Sequence, residues 1–116
     1  MTTTDLEVAR LISAYREAAK GNFEAHAKGD PDGTARHART LAAARSKLKA
    51  HGRDGETELV ALLRDADPSV RCWAAADVLE LEPERAAAVL RGLIAEGGFE
   101  GFSARILLEQ WQKRRE

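Results

Sequence analysis

"LLRDADPSVRCWAAADVLEL", residues 62–81, carries the reading of the fold. Leu62 and Leu63 close one periodic apolar segment. Asp67 then stands where an N-cap accepts a backbone N–H, and Pro68 suits a first helical turn, where its missing N–H has no partner to lose. Beyond them Val70, Ala74, Val78 and Leu81 recur at steps of three and four, so the spacing predicts a helix to Leu81 with one apolar face. Arg71 sits at the shoulder of that face. A guanidinium at a core edge is tolerated only when carboxylates or carbonyls take up its donors, while its stem covers apolar surface. Arg71 therefore implies a junction between packed helices rather than a reaction.

Working outward, the same signals recur. Thr4 and Glu7 have capping-box spacing. Val8, Leu11, Ile12, Tyr15, Ala18 and Ala19 then make a first helical stripe, which Gly21 is expected to kink or interrupt and Phe23 and Ala27 extend. "KGDPDG" at 28–33 is a loop with Asp30 as cap and Pro31 in the next first turn. A second, Ala-rich helix runs from about Pro31 or Thr34 to Ala50 around Leu41 and Leu48, closed by Gly52 as a left-handed cap. A third helix, from about Glu56 to Arg64, carries Leu59, Leu62 and Leu63. A fifth starts near Pro83 and turns Ala86, Val89, Leu90, Leu93 and Ile94 one way, with Glu84, Arg85 and Arg91 facing the other. "EGGFEG" at 96–101 stops it. The sixth, Phe102 to about Lys113, groups Ala104, Leu107, Leu108 and Trp111. No segment alternates like a strand, so the expectation is all-α, six helices with short loops.

The bulk numbers agree. A chain of 116 residues fits one domain, and a 44% hydrophobic share supports a core. Aromatics are 5%, so the 22 alanines with Leu and Val must fill that core, which favours helices in close approach. Charged residues make up 32% but the net charge is -1, so no global field draws the chain to nucleic acid or membrane. The single cysteine excludes an internal disulfide and fits a reducing compartment. "MTTTDLEVAR" lacks a secretory pattern, and no apolar run reaches the ~18–20 residues of a membrane span. Cytoplasmic localisation is the expectation.

The stretch Leu62–Leu81 resembles one HEAT repeat: Leu62-Leu63, Asp65, Pro68, Val70-Arg71, Ala74-Ala75 and Leu79 stand at the family's positions. The resemblance implies a HEAT/armadillo-like α–α superhelix and a structural ion pair between Asp65 and Arg71 at the helix-pair junction. In layout the chain is similar to a bacterial family of short HEAT-like domains without an established function. On this reading residues 1–53 are N-terminal helices, 56–81 is the best-matched hairpin, and 83–113, where Gly101 falls roughly at the Arg position, is a capping hairpin.

Chemistry finds little support. His26, His37 and His51 lack metal-ligand spacing, and His26 projects onto the apolar side of the first helix. Cys72 projects away from the core face and has no His or second Cys to activate it. "GGFEGF" lacks the Lys-Ser/Thr of a phosphate loop; its glycines read as a tight turn, with Phe99 or Phe102 plugging the core. No catalytic residue, cofactor or metal site is assigned, and the chain is not expected to be an enzyme.

Two surfaces remain. Residues 33–53 contain six Lys/Arg and no Asp or Glu. Arg36, Arg39 and Lys47 project away from Leu41 and Leu48, either as a solvated, internally neutralised face or as a stripe that meets phosphates or an acidic protein. Arg45 and Lys49 fall on the apolar side, within reach of Glu17 or Glu24. The other surface is Trp73, between Asp77 and Glu80 on the polar arc of the fourth helix, either covered by a neighbour or serving as an anchor for a partner chain. The expected function is a non-catalytic protein–protein interaction module, an adaptor, scaffold or immunity-like binder; the alternative is nucleic-acid or acidic-partner binding through residues 34–53.

Overall fold

The computed structural model describes residues 2–116. Its elements are α1 (Thr3–Ala27), α2 (Pro31–Ala50), α3 (Arg53–Ala61), a 3-10 turn (Leu62–Arg64), α4 (Pro68–Val78), α5 (Pro83–Glu96) and α6 (Gly98–Arg115). The protein is all-α, with six helices and no strand among the described residues. The chain falls into two compact units, Met1–Ala61 and Leu62–Glu116. The division lies inside the 56–81 segment because α3 packs on α1 and α2, whereas the 3-10 turn packs on α4 and α5.

In the first unit α1 opens two residues earlier than its sequence suggests. Thr2, not Thr4, is the cap: its Oγ1 accepts from the Asp5 N–H at 3.1 Å, and its own N–H donates to Asp5 Oδ2 at 3.1 Å. Both sites offer a Thr with an acid three residues on, and the earlier one adds two residues of helix. Gly21 does not break α1. A Cβ there would lie 2.5 Å from the His37 ring, so the missing side chain lets His37 of α2 lie against α1. Asp30 caps α2 as expected, accepting from the Gly33 N–H at 3.0 Å, and Gly52 takes the left-handed conformation at φ 65. The core joins Val8, Tyr15, Ala18, Ala19 and Phe23 to Leu41, Ala44, Leu48 and Leu59. Asn22, also buried, donates through Nδ2 to the Thr34 carbonyl at 2.9 Å, which ties α1 to the first turn of α2. His26 is exposed rather than packed on the apolar side, while its neighbour Ala25 is buried.

In the second unit Asp67 caps α4 through the Ser69 N–H at 2.8 Å, and Asp65 Oδ2 accepts from the Asp67 N–H at 3.0 Å, fixing the turn before it. Helix α4 ends at Val78, three residues short of the prediction. Leu81 is 50% exposed: it lies in the following turn, where its N–H reaches the Val78 carbonyl at 3.1 Å, and so leaves the apolar face. Cys72 is buried, not turned away from the core. Helix α4 is short and packs against α5, α6 and the 3-10 turn, so more than one of its faces is covered. The break between α5 and α6 shrinks to Gly97, whose φ of 83 suits glycine. Helix α6 therefore begins at Gly98, and Gly101 lies inside it. A Cβ on Gly101 would come within 2.6 Å of the Leu93 carbonyl oxygen, so this glycine sets how closely α6 crosses α5. Val70, Ala74, Ala75, Val78, Ala86, Leu90, Leu93, Ala104 and Leu108 form the core.

Candidate interaction surfaces

Arg71 makes a bidentate contact with Glu96, the last residue of α5. Nη1 donates to Oε2 at 2.9 Å and Nη2 to Oε1 at 3.3 Å. The Arg71 side chain is 20% exposed and that of Glu96 52%, so the pair joins a covered guanidinium to a wet carboxylate. The hydrogen bond that Arg71 donates to Glu96 raises the Arg71 pKa, burial opposes it, and the charges of Glu96, Asp65 and Asp67 add to the rise. The same hydrogen bond lowers the Glu96 pKa. Asp65, the partner implied by the repeat resemblance, acts on the guanidinium through its charge while its carboxylate orders the turn into α4. Arg71 is thus a clasp between α4 and the end of α5, and its buried Nε has no hydrogen-bond acceptor. Nothing local in sequence marks Glu96, which lies 25 residues away.

Cys72 carries no nucleophile at neutral pH. Burial in apolar surroundings pushes its thiol up to about 12, and the charge of Glu100 adds to the shift. Its Sγ lies 3.9 Å from the Glu100 carbonyl oxygen. Among the described residues no group of three His, Cys, Asp or Glu is placed to hold a metal ion. Nor is any helix among them long and apolar enough to cross a membrane.

The outward arc of α2 is as projected. Arg36, Arg39 and Lys47 are exposed, with Thr40, Ala43 and Ser46 between them. Eleven residues of helix set Arg36 and Lys47 about 16 Å apart along the axis. None of the three cationic side chains forms an ion pair among the described residues. The arc is therefore a solvated cationic face rather than an internally paired one. Arg45, by contrast, is half-buried and engaged within the molecule.

At the C-terminal end of the arc an open groove of about 280 Å³ lies between α1 and α2, lined by Glu7, Arg10, Leu11, Lys47, Ala50 and His51. His51 Nε2 stands 3.2 Å from Glu7 Oε2, which occupies the groove's one carboxylate. Arg10 is exposed and unpaired, and it extends the cationic surface onto α1. Sequence reading missed Arg10 because its neighbour across the groove is about forty residues away in the chain.

The α4 surface is less open. Trp73 and Asp77 are half-buried, and each already has a partner in the molecule; Glu80 is exposed in the turn beyond the helix. Phe99 and Phe102 do not plug the core. They are 37% and 59% exposed and stack on each other with centroids 6.5 Å apart. The early start of α6 turns them outward, and Gly101 with Ala104 takes the packed side.

Fold and surfaces together define a small all-helical protein. No family model matches the chain, and no curated protein matches it. Over 97% of its length it is similar to 94% of the solved chain of protein RPA1889 from Rhodopseudomonas palustris CGA009, with a TM-score of 0.84 at 19% sequence identity. At that identity the likeness carries the fold alone.

Proposed function

We propose that this protein is a HEAT-like helical module that catalyses nothing and binds another, acidic protein through the outward arc of α2. The observation that carries the reading is the set of exposed cations with no internal counter-charge, Arg36, Arg39 and Lys47, joined across the groove by Arg10. Their support lies in clustering: residues 33–53 hold six Lys/Arg and no Asp or Glu in a chain of net charge -1, and a surface so biased favours an external anion. The HEAT-like reading draws support from the capped α4, its Arg71 clasp, and the serial packing of α4 on α5 and α5 on α6. The half-covered Trp73, with Asp77 and Glu80, is a second contact face on this reading.

Nucleic acid is the second reading, because the same cations complement phosphates; the lack of an aromatic on the arc argues against stacked single strands. The deciding experiment captures ligands from a lysate on wild-type protein and on Arg36→Glu/Arg39→Glu/Lys47→Glu, with and without nuclease. A nuclease-resistant acidic protein held by wild type and lost from the variant supports the first reading. Nuclease-sensitive retention supports the second. Equal capture by both proteins contradicts both. Trp73→Ala, assayed beside them, reports whether the α4 face shares the contact.

A further inference from the structure

The groove between α1 and the end of α2 holds a contact that the cationic arc does not account for. Arg10, Lys47 and His51 line it as basic residues, and Glu7 is its single acid. Glu7 Oε2 reaches from α1 to His51 Nε2 at 3.2 Å, and its side chain stays 53% exposed against 23% for His51. The two partners are held unequally. His51 caps α2, and its backbone N–H donates to the Lys47 and Leu48 carbonyls. Glu7 is exposed and has no other ion pair among the described residues. An exposed contact of this kind stabilises little, so the carboxylate leaves at small cost. Leu11, half-buried, and Ala50, exposed, give the groove apolar wall beside the charges. The stems of Arg10 and Lys47 extend it. At about 280 Å³ the groove is smaller than the ~300–1,000 Å³ of a cofactor or drug-sized ligand site, and it suits one or two side chains of a longer chain.

Resting on the reading that α2 meets an acidic protein, we propose that this groove takes a carboxylate of the partner with an aliphatic side chain beside it, and that Glu7 is a built-in competitor that occupies His51 until that carboxylate displaces it. Charge complementarity selects the occupant. Arg10 and Lys47 are exposed and without ion pairs among the described residues, so both are free to receive an anion. An incoming carboxylate meets Arg10, Lys47 and the His51 ring in one small groove, whereas Glu7 holds His51 alone. The neighbouring aliphatic side chain covers Leu11 and Ala50. A phosphate backbone meets the same cations but brings no aliphatic group to that wall.

Titration of the isotope-labelled protein, followed by nuclear magnetic resonance, reads both the place and the affinity. The probe is a short peptide in which Glu-Leu-Glu is flanked by glycine and serine. It shifts the amide signals of Leu11, Ala50 and His51, with a dissociation constant of roughly millimolar order for so few side chains. Glu7→Gln keeps the size of the competitor and removes its charge, and it tightens the peptide about two- to fivefold. Arg10→Glu weakens it roughly tenfold or more. A Glu-Ser-Glu peptide binds several-fold more weakly than Glu-Leu-Glu, and Gln-Leu-Gln leaves the groove signals unmoved. Glu7 and Arg10 are exposed, so helical circular dichroism is the same in both variants. A wild type whose groove signals do not respond to Glu-Leu-Glu overturns the proposal. So does a Glu7→Gln affinity equal to or below wild type, equal affinity for Glu-Leu-Glu and Glu-Ser-Glu, or tighter binding of a short thymidine strand at the same amides. Failure of the α2 reading is separate. Capture of an acidic protein that is lost on Arg36→Glu/Arg39→Glu but indifferent to Glu7→Gln sinks the groove and leaves that reading standing.

Discussion

Alkylation of Cys72 measures how completely α4 is enclosed. The thiol moves from its ordinary value of 9.0 to about 12, chiefly because a thiolate there loses its hydration. Three pH units mean about a thousandfold less thiolate at a given pH than an unshifted cysteine holds. The thiolate is the reacting species, so native protein at neutral pH should react with iodoacetamide about a thousandfold more slowly than the same chain in urea. The shift also sets a pH dependence of stability. Between pH 9 and 12 the unfolded chain has lost the thiol proton that the folded chain keeps, so the unfolded state binds fewer protons and stability falls as pH rises. The benefit of the buried neutral thiol is complete below about 9, and its loss above that approaches about 1.4 kcal/mol per pH unit. Urea midpoints followed from pH 8 to 10 should therefore decline more steeply for wild type than for Cys72→Ala. Native alkylation within tenfold of the unfolded rate, or equal slopes for the two proteins, refutes the enclosure of α4 and the argument that Cys72 cannot act as a nucleophile.

Other consequences follow from the packing. Leu90→Ala empties a fully buried site in the second unit and should cost about 2–5 kcal/mol in urea unfolding. Asp67→Ala removes the α4 cap and should cost about 0.5–2 kcal/mol by the same measurement. Arg71→Met should destabilise much less than Leu90→Ala, because the carboxylate it abandons is wet and rehydrates; a larger effect than Leu90→Ala would show that the clasp is dry. Gly101→Val places side-chain atoms on the Leu93 carbonyl and should lower the melting temperature more than Gly92→Val, where no atom lies within 4 Å of the added Cβ.

Much of the fold is legible in the sequence because its punctuation is chemical. Asp30-Pro31 and Asp67-Pro68 each combine a side-chain acceptor with a residue that has no N–H to satisfy, and helices start at both places. Pro83 and Gly52 mark a start and an end just as plainly. Periodicity also places the α2 cations outward, since α2 packs along one side and its opposite arc stays wet. The errors share a cause. "EGGFEG" reads as a long breaker when glycine is taken only as a flexible residue. Gly97 makes the turn, but Gly101 is inside a helix to admit the Leu93 carbonyl, and that use depends on a neighbour no local pattern reveals. Cys72 is misplaced because a helical wheel assumes one buried face, and α4 is covered on several. Glu96 and Arg10 are invisible for the same reason: each is defined by a residue far along the chain.

On the proposed function, the unmatched cations of α2 meet an acidic protein. Ala43 lies exposed between Arg39 and Lys47, so a photo-crosslinking amino acid at position 43 samples that surface in the cell with little cost to folding. Position 43 should give one dominant crosslink to an acidic protein, absent from a control probe at Arg91 of α5 and lost when Arg36 and Lys47 are reversed to Glu. Crosslinking to nucleic acid, or no product from position 43 above that from position 91, contradicts it.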